Sequence, residues 1–198
     1  MSARPVQHKV TGMTPSDIPA SSPMPVRYSR ETRWLHWITA LLVLEQFVVG
    51  QVGWHLMDRS APLRPWLVAT HTSLGVLLAA VFVTRIAWGV TGGRAIRFPV
   101  VNVQDRIARG VHLLLYALLG GEIALGYMAR WSTGHPVMAF GVPINAPFAA
   151  MPHATHVFFS RLHHWDAWLL LWVALFHAGA GFYHLLFCRD RVFQRMLP

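Results

Sequence analysis

The chain has 198 residues, of which 54% are hydrophobic and 13% charged, with a formal charge of +9. Soluble domains are about one-quarter charged, and nucleic-acid binders gather their basic residues on one face. Here the arginines sit mostly at the ends of apolar runs, so both classes give way to a membrane protein. The single cysteine, Cys188, leaves neither an intrachain disulfide framework nor a thiolate metal cluster.

Residues 1–26 are rich in Pro, Ser and Thr and lack an apolar core of signal-peptide length, so a disordered tail is expected there. Four apolar segments follow, at about 34–54, 68–90, 107–128 and 162–187. Each is long enough for a hydrocarbon core about 30 Å thick. Between them lie helix breakers: Pro62 and Pro65, then Gly92, Gly93 and Pro99, then Pro136, Pro143, Pro147 and Pro152. The expectation is an all-α, multi-pass four-helix bundle over residues 27–198.

Arginines orient it. Arg27, Arg30 and Arg33, then Arg94, Arg97, Arg106 and Arg109, then Arg189, Arg191 and Arg195 fall on one side of a chain that crosses four times. Arg59, Arg64, Arg130 and Arg161 fall on the other. The positive-inside rule then puts both termini in the cytoplasm and the 130–160 segment outside. Its Trp131, Phe140, Phe148, Phe158 and Phe159 suit an interfacial cap.

His163 and His177 are the strongest chemical signal. Fourteen helical steps leave them only about 40° apart in angle and roughly 21 Å apart along the axis. One helix thus offers an imidazole near each membrane surface, a spacing that suits one axial ligand to each of two stacked haems. Depth supplies partners: His36 lies with His177 at the cytoplasmic end, and His71 with His163 at the external end. Intramembrane ionisable groups need such partners in a low dielectric.

Other side chains admit two readings. His164 is turned about 140° from the face of His177, which favours His163 as the ligand. His112 can replace His36 or bond a haem propionate or a neighbouring helix. His184 extends the His177 stripe toward the cytoplasm, either as an interfacial residue or as a proton donor at a quinone site. Arg85 can snorkel to the interface or neutralise a propionate. His135, His153 and His156 sit in the external segment, where a solvated role is favoured over zinc binding. Gly50, Gly75, Gly126 and Gly181 permit close approach of helices or of a flat macrocycle. Glu45, Glu122 and Asp166 are acids in or near apolar surroundings.

The runs RYSRETRWLHW, ATHTSLG with Arg85 downstream, HLLLY followed by LGYMARW, MAFGVPI and LHHWDAWLLLWVALFHAGAGFYHLLFCRDRVFQRMLP resemble the bacterial cytochrome b561 family over residues 27–198. The resemblance implies two b-type haems in the bacterial inner membrane, with His36, His71, His163 and His177 as iron ligands. It also implies similarity to membrane superoxide oxidases, which pass electrons from periplasmic superoxide to ubiquinone. On that reading the quinone lies near the cytoplasmic haem, with His184 as the catalytic proton donor and Arg94 or Arg97 binding a carbonyl. External arginines would attract the superoxide anion. The lipid bilayer is the one obligatory partner and nucleic acid is not expected. The competing reading is an electron-carrying anchor subunit that docks a periplasmic dehydrogenase or hydrogenase as redox partner.

Overall fold

The computed structural model describes residues 27–91, 103–189 and 192–197. Residues 1–26, expected as a disordered tail, lie outside them, as do Arg94 and Arg97. Four long helices dominate: α1 Arg30–Gln51, α2 Arg64–Thr91, α3 Val103–Trp131 and α4 His153–Tyr183. A π-helical turn continues α1 over Val52–Leu56, and another continues α4 over His184–Cys188.

α1 starts where Ser29 Oγ accepts from the Thr32 amide at 3.3 Å, satisfying one of the amides that no helical carbonyl can reach. The helices α2, α3 and the combined His153–Cys188 stretch are long and apolar enough to cross a membrane. α1 does not meet that measure, because Arg30, Glu31 and Arg33 open it and Glu45 and Gln46 interrupt its apolar run. Its 22 residues still measure about 33 Å, the thickness of a hydrocarbon core.

The helices pair as two hairpins, α1 against α2 and α3 against α4. Side chains join the hairpins: Phe47 meets Trp168 edge-on at 4.9 Å, and Phe82 meets Tyr116 at 6.0 Å. The buried centre is a layer of leucines, Leu42, Leu78, Leu118, Leu119 and Leu170. Most other large apolar side chains face outward, such as Leu41, Val90 and Phe176, as expected where lipid is the solvent.

The start of α1 and the last described residues meet at one end of the bundle. Arg33 Nη1 donates to the Leu197 carbonyl at 2.7 Å, and Trp37 Nε1 donates to the Met196 carbonyl at 2.7 Å. Trp88 at the end of α2 donates to Thr32 Oγ1 at 3.2 Å, which puts the α2 terminus at the same end.

The opposite end differs from expectation in two ways. First, α4 begins at His153 rather than near residue 162. Its first turns, HATHVFFSR, are too polar to register as membrane-spanning yet are helical, so His153 and His156 belong to α4 and not to a loop. Second, the preceding segment forms a small antiparallel hairpin, β1 Val137–Ala139 and β2 Val142–Ile144. Phe140 and Gly141 have φ of 50° and 87°, the two positive values that a tight I′ hairpin turn demands. The hairpin is pinned to α2 by the Phe140 amide, which donates to Ser73 Oγ at 2.9 Å, and to α3 by Trp131 Nε1, which donates to the Ile144 carbonyl at 3.0 Å.

Candidate functional site

α4 presents His163 toward His71 of α2, with ring centres 6.3 Å apart and planes at 78°. Two turns beyond the leucine layer it presents His177 toward His36 of α1, with ring centres 6.2 Å apart and planes at 75°. A metal bonded by two opposed imidazoles at about 2.0 Å, each ring centre about 1.1 Å behind its nitrogen, separates the centres by about 6.2 Å. Both pairs match that spacing. His112 of α3 stands closer to His177, with ring centres 5.0 Å apart, too near for a metal on the line between them. Of the two candidates facing His177, His36 therefore has the geometry of an opposed ligand.

The rings of the His71–His163 pair are fitted closely. A Cβ added to Gly50 would stand 3.3 Å from His71 Cε1, and one added to Gly126 would stand 3.2 Å from His163 Cε1. Each imidazole thus lies in a notch left by a glycine on the neighbouring helix. The backbone of Gln46 stands beside His71, and Glu122 Oε1 lies 3.1 Å from His163 Nδ1. Such partners for one ring nitrogen leave the other to bind a metal and fix the ring's orientation.

The His36–His177 pair has different neighbours. Arg85 Nη2 donates to His36 Nδ1 at 3.2 Å, while Arg85 Nε donates to Tyr116 Oη at 2.8 Å. The guanidinium also covers the Tyr116 ring, with Cζ 5.3 Å from its centre. Arg85 therefore does not extend away to the interface; it is held at the pair.

One register explains the arrangement. The fourteen-residue spacing of His163 and His177 recurs on every helix, as His36 and Gly50, His71 and Arg85, and His112 and Gly126. Leu78, Leu119 and Leu170 each stand seven residues from both members of their own pair. That recurrence was legible in the sequence and would have drawn attention to Gly50 and Gly126 specifically. Glu122, named above as an acid in apolar surroundings, stands one turn before Gly126 on α3.

His184 opens the π-helical turn after α4. With Phe176, Gly179, Ala180 and Tyr183 it lines a surface groove of about 380 Å³. π-helical turns recur at functional sites because they redirect side chains. His164 turns away from the His71 pair to face His55, with ring centres 4.8 Å apart. His156 is tied to the α3 terminus, its Nδ1 lying 3.0 Å from the Ala129 carbonyl, and His135 Nδ1 lies 3.0 Å from Thr133 Oγ1.

No group of three or more His, Cys, Asp or Glu residues able to hold a metal occurs among the described residues. Each imidazole pair supplies two ligands, which suits iron that brings its own in-plane ligands, as in haem. The ring spacing, the glycine notches and the carboxylate behind His163 all fit that group.

Residues 27–198 match the family model described as prokaryotic cytochrome b561. The chain is 29% identical over 185 residues to cytochrome b561 homolog 2 of Escherichia coli K12, covering 87% of this chain and 92% of that protein. It is 24% identical over 189 residues to the probable superoxide oxidase CybB of Yersinia pestis, covering 87% and 96%. With cytochrome b562 of Cereibacter sphaeroides it shares 28% identity over 171 residues, covering 86% and 94%.

Proposed function

This chain belongs to the prokaryotic cytochrome b561 family, a bacterial membrane b-type cytochrome of electron transfer, and we propose that it carries electrons from periplasmic superoxide to ubiquinone through two haems. The observation that carries the reading is the presence of two opposed imidazole pairs, 6.2 and 6.3 Å between ring centres, on either side of a leucine layer. The relative named a probable superoxide oxidase supports the choice of donor.

Haem b, when bound, supplies a one-electron centre at each pair. His71 and His163 would hold it at the periplasmic end, and His36 and His177 at the cytoplasmic end. Held between two imidazoles, either group would exchange electrons without binding a substrate directly. Arg85 stands where it can meet a propionate. The leucine layer between the pairs keeps water and protons out of the path. Arg59, Arg64 and Arg161 make the periplasmic surface attractive to an anion, while Arg130 is committed to the Pro136 carbonyl, to which its Nε donates at 3.0 Å.

Two superoxide anions each yield one electron and leave as O2. The quinone accepts those two electrons and two protons, becoming the quinol. The groove beside His184 and Tyr183 opens toward lipid, where a quinone resides, and His184 is the proposed proton donor. Arg94 and Arg97 remain the candidates for gripping a quinone carbonyl.

Rapid mixing of the purified holoprotein with superoxide tests the proposal. The expected result is two b-type haems per chain, reduced quickly and reoxidised by added ubiquinone. Haem reduction only by a separate dehydrogenase would replace the oxidase with the anchor-subunit reading.

A further inference from the structure

The two imidazole pairs share one geometry but have neighbours of opposite charge. At the His71–His163 end, Glu122 Oε1 lies 3.1 Å from His163 Nδ1, and its side chain is only 16% exposed. Asp166, one turn along α4 from His163, adds a second carboxyl facing α3, its Oδ2 3.6 Å from where a Cβ on Gly121, the neighbour of Glu122, would stand. At the His36–His177 end the neighbours are Arg85, His112 and Tyr116, with Arg85 Nη2 3.2 Å from His36 Nδ1.

Charge this close to a ligand acts on the iron it binds. A carboxylate facing the N–H of a ligating imidazole makes that imidazole a stronger donor, which favours ferric iron. A guanidinium facing the other site favours the form with less positive charge, ferrous iron. Both effects are strong because the sites lie inside a low-dielectric bundle.

We infer that Glu122 is a positioning residue for His163, and that Glu122 with Asp166 at one end and Arg85 at the other set the two haems at different potentials. This rests on the two-haem reading proposed above. The site held by His71 and His163 is the low-potential one, so electrons move from it to the site held by His36 and His177. One electron would leave the group held by His71 and His163, oxidising it, and enter the group held by His36 and His177, reducing it. Superoxide, a one-electron reductant, refills the first site, and a quinone empties the second.

An equilibrium redox titration of the purified holoprotein, followed in the b-type absorbance, reads this directly. The unaltered protein should titrate in two waves, and His71→Ala should remove the lower. E122Q, which keeps shape and an acceptor oxygen, should raise the lower wave by at least tenfold in equilibrium constant, 59 mV for one electron. The upper wave should stay in place. D166N should move the lower wave in the same direction by less. R85Q should lower the upper wave and R85K should restore it, an outcome a merely structural role for Arg85 would not give. Two waves that E122Q and D166N leave unmoved, or move together, overturn the inference while leaving the two-haem reading intact. A protein with fewer than two haems overturns that reading itself. If E122Q costs the protein a haem, D166N and the Arg85 variants decide the matter.

Discussion

Gly126 offers a test in which helix stability and the site respond with opposite sign. An alanine Cβ there would stand 3.2 Å from His163 Cε1 and 3.6 Å from Nδ1. Comfortable carbon contacts lie near 3.5–4.0 Å, so the ring must retreat by about 0.3–0.5 Å. Metal–ligand distances tolerate only about 0.2 Å. The retreat therefore falls on the bond to iron, and perturbing a ligand's surroundings in this way costs about ten- to a hundredfold in affinity. The same substitution gains about 1 kcal/mol of helix propensity. Gly126→Ala should thus keep or raise the melting temperature of the protein while weakening retention of one haem, and Gly126→Val should remove that haem. Gly89→Ala and Gly110→Ala are controls, because nothing lies within 4 Å of a Cβ at either position. Haem per polypeptide, measured by pyridine haemochrome absorbance, is expected to fall from two to one in Gly126→Val and to stay at two in the controls. Two haems with an unchanged reduced spectrum in Gly126→Val would refute the idea that the notch beside His163 serves the site.

Three further outcomes are expected. His36→Ala should cost one haem whereas His112→Ala should keep both, since only the 6.2 Å pair has room for iron between the rings; haem content and the ferric low-spin electron paramagnetic resonance spectrum distinguish them. His184→Ala should slow quinone reduction by about ten- to a hundredfold while leaving haem reduction by superoxide at its normal rate, the range expected below the full effect of a general acid; stopped-flow traces with and without ubiquinone check it. Trp37→Phe removes the hydrogen bond to the Met196 carbonyl that clasps the start of α1 to the last described residues, and should cost about 0.5–1.5 kcal/mol. Its effect is read as increased amide exchange near the C-terminus, with haem content unchanged.

Much of this architecture was legible because the bilayer leaves few choices. Apolar length marked the three helices that meet the spanning measure, and the arginine bias fits the start of α1 and the last described residues meeting at one end of the bundle. Depth alone paired His36 with His177 and His71 with His163, as the ring contacts pair them. Hydropathy failed where helix and membrane part company: α4 runs nine residues beyond its apolar segment, and the Phe140–Gly141 turn rests on backbone angles that a short polar loop does not advertise. Glu122 was visible as an acid in an apolar run, but not its approach to His163, because that requires the rotation of α3 against α4.

The recurrence of the fourteen-residue spacing on all four helices gives the two ends different characters. At the His163 level the four positions are Gly50, His71, Gly126 and His163, so two rings alternate with two residues lacking a side chain. At the His177 level they are His36, Arg85, His112 and His177, so every helix contributes a polar side chain. The first level is a socket: two notches fix the rings, and any added volume acts directly on them. The second is a polar cluster in which Arg85, already bonded to both His36 and Tyr116, can exchange partners when an anionic group arrives. Substitutions at the first level should therefore act through shape and retention of the cofactor, and those at the second through charge and potential. Substitution should accordingly separate the two ends: haem loss for added volume at Gly126, and no comparable loss for conservative exchange of Arg85 by Lys.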